Sequence, residues 1–141
     1  MIDPRLSVEV EIEIPFHDVD SIQIVWHGNH IKYFEIARTK LIRLFDYDMD
    51  EMAQSGIIWP IIECKCRYIQ AIPYAMVIRV KAWITEIEHR LKINYLITEK
   101  ESGRRLAKGH TMQAAVQAAT GNLIDTEVLQ ARIENYLNNP S

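Results

Sequence analysis

Between Phe16 and Thr39 the chain reads FHDVDSIQIVWHGNHIKYFEIART. Two carboxylates, Asp18 and Asp20, and three imidazoles, His17, His27 and His30, flank one apolar run there. A carboxylate can take a proton from water or attack an electrophilic carbon itself. His27 stands just before the spacing turns helical, where backbone N–H groups have no partner within the helix and the helix dipole is positive. Such a place stabilises negative charge developing on a carbonyl oxygen. A carboxylate and an oxyanion-binding helix start, joined by a short apolar loop, suit attack on a carbonyl compound. The same residues have plainer uses. Aspartates between a strand and a helix ordinarily satisfy turn and helix-end groups. His27 and His30, three apart, with Asp18 or Asp20 and a remote His110, would make a metal set, but nothing in the pattern requires one.

The elements around this stretch follow from periodicity. Leu6, Val8, Val10, Ile12 and Ile14 alternate with Ser7, Glu9, Glu11 and Glu13, which predicts a half-buried strand. Ile31, Phe34, Ala37, Leu41, Leu44 and Phe45 recur at helical spacing, predicting a helix from about Asn29 to Phe45. A shorter helix is expected over Asp48–Gln54, stopped by Gly56. Ile58, Ile62, Cys64, Cys66 and Tyr68 share a strand face, and Pro60 marks an edge or bulge. Two further strands read from AMVIRVKAWITEI and RLKINYLITE, joined by short connections. From Arg104 to Ala119 the chain is extended, with Leu106, Met112, Ala114 and Val116 on one face interrupted by Lys108 and His110. Asp125 is placed to cap a last helix lined by Leu129, Ile133 and Leu137. Strand, long helix, four strands and short helix make an α+β layer fold in one domain over residues 1–141, an antiparallel sheet wrapped around the long helix.

Composition narrows the partners. A formal charge of −3 over 141 residues argues against nucleic acid, whose binders carry a basic stripe. No apolar run approaches the roughly 20 residues of a membrane span. MIDPRLSVEVEIEI lacks the pattern of a signal peptide, so the cytoplasm is the expected location. Cys64 and Cys66 stand two apart, about 7 Å along a strand and too far for easy disulfide geometry, and read as small core residues. Arg67, Arg79 and Lys81 are placed to meet phosphate, although solvated strand-face charge is the plainer reading.

The stretch DVDSIQIVWHGNHIKYFEIAR resembles the N-terminal signature of hotdog-fold acyl-CoA thioesterases of the 4-hydroxybenzoyl-CoA thioesterase type. Asp18 and Asp20 match its Asp-x-Asp. Val25, Trp26 and His27 match the hydrophobic run and its polar end, and Asn29, Phe34, Glu35, Ala37 and Arg38 match the helix. Gly56, Pro60, Ala71–Pro73 and Thr120–Gly121 extend the likeness along the chain. Gln23 stands where the family has Gly, and His30 where it has Tyr. The resemblance implies a hotdog fold and a homodimer or homotetramer with active sites at the dimer interface. It implies acyl-CoA or acyl carrier protein thioesters as substrates, with no metal or redox cofactor. Asp20 is then the catalytic carboxylate, as base or nucleophile, and His27 joins it. Trp26, Gly28 and Asn29 are the expected substrate contacts. A hydratase or dehydratase acting on β-hydroxyacyl thioesters, and a non-catalytic acyl-thioester binding module, are the competing readings. Thiol release from acyl-CoA separates the three.

Overall fold

The computed structural model describes residues 3–139. Five antiparallel strands form the main sheet in the order β1-β4-β5-β6-β3: β1 (Ser7–Glu13), β4 (Val77–Glu86), β5 (Leu91–Glu99), β6 (Arg105–Gln113) and β3 (Ile61–Tyr68). A small second sheet joins β2 (Ile57–Ile58), β7 (Ala115–Gln117) and β8 (Leu123–Ile124). The long helix α1 (Asn29–Arg43) lies on one face of the main sheet; α2 (Met49–Ser55) and α3 (Glu127–Asn138) follow at its far end and at the C-terminal side. Ile78, Val80, Ala82 and Ile84 of β4 and Leu91, Ile93, Tyr95 and Ile97 of β5 turn one face into the core under Phe34, Ala37 and Leu41 of α1. Each of the Val, Leu and Ile chains among them contributes on the order of 1.5–3 kcal/mol by leaving water. Phe34 stacks on Tyr95 with centroids 4.4 Å apart. This closeness demands Gly109, since a Cβ there would lie 2.9 Å from the Phe34 ring and 2.1 Å from the Lys65 carbonyl oxygen.

The helix starts and stops obey local chemistry. Asp48 caps α2 through the Met49 N–H, and Gly56 ends it at φ +72°. Thr126, rather than Asp125, stands at the N-cap of α3. Its side chain makes no cap bond there; its hydroxyl donates to the Ile87 and Glu88 carbonyls and pins the helix to the β4–β5 connection.

Two further expectations are corrected. The segment expected to run as one strand from Arg104 breaks into β6 and β7, and its face alternation shifts. A bulge places Thr98 opposite Arg105 but Ile97 opposite Ala107, so Leu106 is an inserted residue. Leu106 and Ala107 are therefore both buried, and Thr111 and Gln113, not Met112, face the core. Cys64 is not a core residue but exposed, and Cys66 is half-buried, packed against the rim of the core. Their strand is the last in the sheet, so no neighbour covers its outer side.

Candidate active site

The Asp18–Trp26 segment is a small hairpin. The Trp26 N–H donates to the Asp18 carbonyl (3.0 Å), the Asp20 N–H to the Ile24 carbonyl (2.8 Å) and the Gln23 N–H to the Asp20 carbonyl (2.9 Å). At its tip Gln23 takes φ +64°, the left-handed conformation that favours glycine. Gln23 thus keeps the turn that a Gly at this position would make. Val25 and Ile72 then anchor the hairpin in the core, the Val25 N–H bonding the Ile72 carbonyl at 2.8 Å.

The two aspartates part company here. Asp18 is 2% exposed. Its carboxylate accepts from the Tyr33 hydroxyl at 2.7 Å and from the Lys32 ammonium. Burial would raise its carboxyl; Lys32 and Tyr33 outweigh that and hold it below the ordinary carboxylate range. Burial and the same carboxylate push the Tyr33 phenol far up. Asp20 is partly exposed. One of its oxygens, Oδ1, accepts from the Ile22 N–H (3.0 Å) and the Ile24 N–H (3.4 Å), while Oδ2 has no partner among the described residues. Asp20 is oriented by its own turn yet offers an open oxygen.

The start of α1 is clamped from several sides. The Asn29 N–H donates to the Trp26 carbonyl at 2.9 Å, and the Asn29 side-chain amide donates to the Asp18 carbonyl at 2.8 Å. Asn29, expected to contact substrate, thus ties the hairpin to the helix. The His27 carbonyl accepts from the Tyr68 hydroxyl (2.8 Å) and from His30 Nδ1 (3.2 Å). A carbonyl only accepts, so the His30 proton sits on Nδ1. Burial holds the His30 imidazole below its ordinary value, which keeps the ring neutral. Because a trans peptide points its N–H opposite its C=O, fixing the Trp26 and His27 carbonyls also aims the His27 and Gly28 N–H groups. Neither N–H has an acceptor among the described residues. A Cβ at Gly28 would fall 2.1 Å from the exposed Trp26 ring, so a larger residue there would displace that ring. The exposed Trp26 and His27 rings lie 4.9 Å apart, and Tyr68 meets His27 edge-on.

Asp20, Trp26, His27, Gly28 and Asn29 all belong to this hairpin and helix start. Tyr68, from β3, and Lys32 and Tyr33, from α1, hold it in place and were not singled out from the sequence. Lys32 and Tyr33 sit 14 and 15 residues beyond Asp18, two adjacent helical positions whose polar ends converge on it. Tyr68 carries no local signal, because its contact spans 41 residues.

The metal set does not assemble. His110 pairs with Glu63 at 2.6 Å, its side chain on the sheet face opposite Thr111. Among the described residues no three of His, Cys, Asp and Glu gather. The basic residues separate too. Arg79 pairs with Glu9 and Glu11 at 3.6 and 3.4 Å, and Lys81 lies 5.7 Å over the Trp83 ring. Arg67 lines a groove of about 410 Å³ with Lys65, Arg105 and Lys108, on the face away from α1. No described helix is long and apolar enough to cross a membrane.

Comparison with known proteins agrees with this geometry. Residues 14–133 match the family model of the thioesterase-like superfamily. The chain is 26% identical over 117 residues to the sll0410 protein of Synechocystis sp., covering 82% of this chain and 70% of that one. Among solved structures it resembles a DHNA-CoA thioesterase from Staphylococcus aureus (TM-score 0.79, 23% identity, 96% of this chain and 95% of that one). It also resembles Slr0204, a 1,4-dihydroxy-2-naphthoyl-CoA thioesterase from Synechocystis (TM-score 0.84, 15% identity, 95% and 99%). At these identities the two structures establish the hotdog fold. With its match spanning most of its length, the chain belongs to the thioesterase-like superfamily.

Proposed function

We propose that this acyl-CoA thioesterase hydrolyses its substrate with Asp20 as the base that activates water. The observation that carries the proposal is the division of labour within Asp20: Oδ1 is held by two backbone N–H groups and Oδ2 is open. Water loses a proton to Asp20 as its oxygen attacks the thioester carbon. The His27 and Gly28 N–H groups receive the carbonyl oxygen as it becomes an oxyanion. Collapse of the tetrahedral intermediate expels the CoA thiolate, which takes up a proton, and leaves a carboxylic acid. His27 orients the water beside Trp26, and Tyr68 and His30 hold the oxyanion peptide. A thioester carbonyl is electrophilic and thiolate leaves readily, so the scheme requires neither metal nor redox group; turnover is expected to be unchanged by chelators.

The reading extends to assembly and place. The unpaired edge of β3 adjoins the site through Tyr68, which supports action as a homodimer or larger; the cytoplasm is the proposed location. The DHNA-CoA and 1,4-dihydroxy-2-naphthoyl-CoA thioesterases among the structural neighbours support a CoA thioester over other carbonyl compounds. The test is thiol release from a panel of aliphatic and aromatic acyl-CoAs, by wild type and by Asp20→Asn. Double-bond change without thiol release would point to a hydratase, and binding without either to a carrier.

A further inference from the structure

The face of the main sheet away from α1 treats charge differently in its two halves. Beside β1, Arg79 sits against Glu9 and Glu11, and Lys100 against Glu11. On β6 and β3, Lys65, Arg67, Arg105 and Lys108 have no acidic partner among the described residues. Arg67 stands directly opposite Lys108. Like charges so placed lower stability, and they persist here in a chain whose net charge is −3. Glu63, two residues before Lys65, does not relieve them; its carboxylate is on His110 at 2.6 Å. Unmatched cations around one concavity suit an anion that carries several charges.

The strand register gives the length of that anion, because opposed residues of a ladder share a face. Trp83 is opposite Asn94, Asn94 opposite His110, and His110 opposite Lys65, one row across β4, β5, β6 and β3. Leu96, Lys108 and Arg67 make the next row. Both rows line the groove of about 410 Å³. Trp83 and Lys65 are therefore three strand spacings apart, about 14 Å. The cations crowd one end, and the Trp83 indole and the Leu96 side chain form the other. Asn94 Oδ1 accepts from the Thr85 hydroxyl at 3.1 Å, which leaves the Asn94 amide N–H groups as donors between the two ends. A bare phosphate would occupy only the basic end. A flat ring joined through a sugar to two or three phosphates spans both.

We propose that this groove binds a nucleoside di- or triphosphate, with its phosphates on Lys65, Arg67, Arg105 and Lys108 and its ring beside Trp83 and Leu96. Arginine forks and lysine ammonium groups both hold phosphate oxygens, and an indole offers a base its face. Alternation along β3 turns Arg67 to the groove and Tyr68 to the side of α1, where it holds the His27 carbonyl. The sheet thus stands between the groove and the Asp20 hairpin, and the ligand is a free nucleotide rather than part of the thioester. The inference goes beyond the thioesterase reading and does not rest on it.

Calorimetric titration with ATP, ADP, AMP and tripolyphosphate in magnesium-free buffer tests the site. ATP and ADP are expected to bind one per chain. AMP, short of phosphates, and tripolyphosphate, lacking a ring, are each expected to bind at least about tenfold more weakly. Added salt is expected to weaken ATP binding, since the cations are open to solvent. Arg67→Gln is expected to lower ATP affinity at least about tenfold while the melting temperature holds or rises, because its like-charge contact with Lys108 is gone. Trp83→Leu is expected to weaken ATP and leave tripolyphosphate unchanged. If Trp83→Leu does not fold, the ratio of ATP to tripolyphosphate affinity in wild type still reads the ring end. Absence of ATP binding, or wild-type affinity in Arg67→Gln, overturns the proposal. Tripolyphosphate binding as tightly as ATP overturns it too, leaving a plain anion groove. KM for acyl-CoA is expected to be unchanged in Arg67→Gln; a tenfold rise at constant kcat would assign the groove to the nucleotide end of the substrate and overturn the free-nucleotide site. Titration requires no hydrolysis, so failure of the chemistry assigned to Asp20 would leave its result standing.

Discussion

Asp18 and Asp20 are two residues apart and do opposite things. Asp18 is enclosed, with Lys32 and Tyr33 on its carboxylate and the Trp26 N–H and Asn29 amide on its carbonyl. Asp20 is partly exposed and keeps one oxygen free. A carboxylate whose oxygens are both engaged by the protein cannot also take a proton from water without breaking what it holds. One steadied through a single oxygen can. On the proposed reading, Asp18, the deeper and fully bonded carboxylate of this Asp-x-Asp, is the scaffold and Asp20, the less satisfied one, is the reagent.

The sharpest way to break the comparison is Asp20→Asn. Asn keeps the size and the turn, so melting temperature and oligomeric state are expected to stay put while turnover falls at least about a hundredfold. Near wild-type hydrolysis of the best acyl-CoA would make Asp20 a turn residue only.

Asp18→Asn is expected to do the reverse. Removing charge from a carboxylate bonded to Lys32 and Tyr33 is expected to lower unfolding free energy by about 2 kcal/mol, a value kept modest because Lys32 is 45% exposed. Turnover is expected to fall far less than for Asp20→Asn. Chemical denaturation beside steady-state kinetics separates the two variants; a drop in turnover matching that of Asp20→Asn, at wild-type stability, would erase the distinction.

Acid sharpens the same contrast. The folded Asp18 carboxyl lies below its unfolded value of about 3.9, so the unfolded chain takes up that proton first as pH falls. Its stabilisation is complete above that value and fades as pH drops through the lower, folded one. Wild type is therefore expected to lose stability more steeply than Asp18→Asn below about pH 4. His30, whose imidazole is held down by burial, adds an earlier loss that begins as pH falls through about 6.5, where the unfolded ring takes its proton. Parallel curves for wild type and Asp18→Asn would sink the Asp18 assignment.

Smaller effects test the supports. Tyr68→Phe removes one of two donors to the His27 carbonyl and is expected to lower kcat about three- to tenfold, on the order of 1 kcal/mol, with KM little changed. An unchanged kcat would leave the oxyanion peptide without need of Tyr68. Smallest of all, Gln23→Gly relieves a left-handed residue and is expected to raise stability by about 0.5 kcal/mol without altering turnover. A destabilised variant would show that the Gln23 side chain is needed at the turn.

Much of this was written in local pattern. Alternation marked β1, β4 and β5, helical spacing marked α1 to within two residues, and Asp48 and Gly56 bounded α2, because these signals report on a residue's own backbone. The Asp-x-Asp and the His27–Asn29 helix start were legible for the same reason: turn and helix-end chemistry is local. Tertiary structure decided what needs a distant neighbour. The bulge that flips the face of β6 after Leu106 exists only against β5, and Cys64 and Cys66 are uncovered only because β3 is last in the sheet. Asp18 became the buried partner of Lys32 and Tyr33 when α1 folded back over the hairpin, and Tyr68 reached the His27 carbonyl across 41 residues. Burial and edge position are properties of the neighbours, and a sequence pattern records only the side that a residue shows, not what comes to meet it.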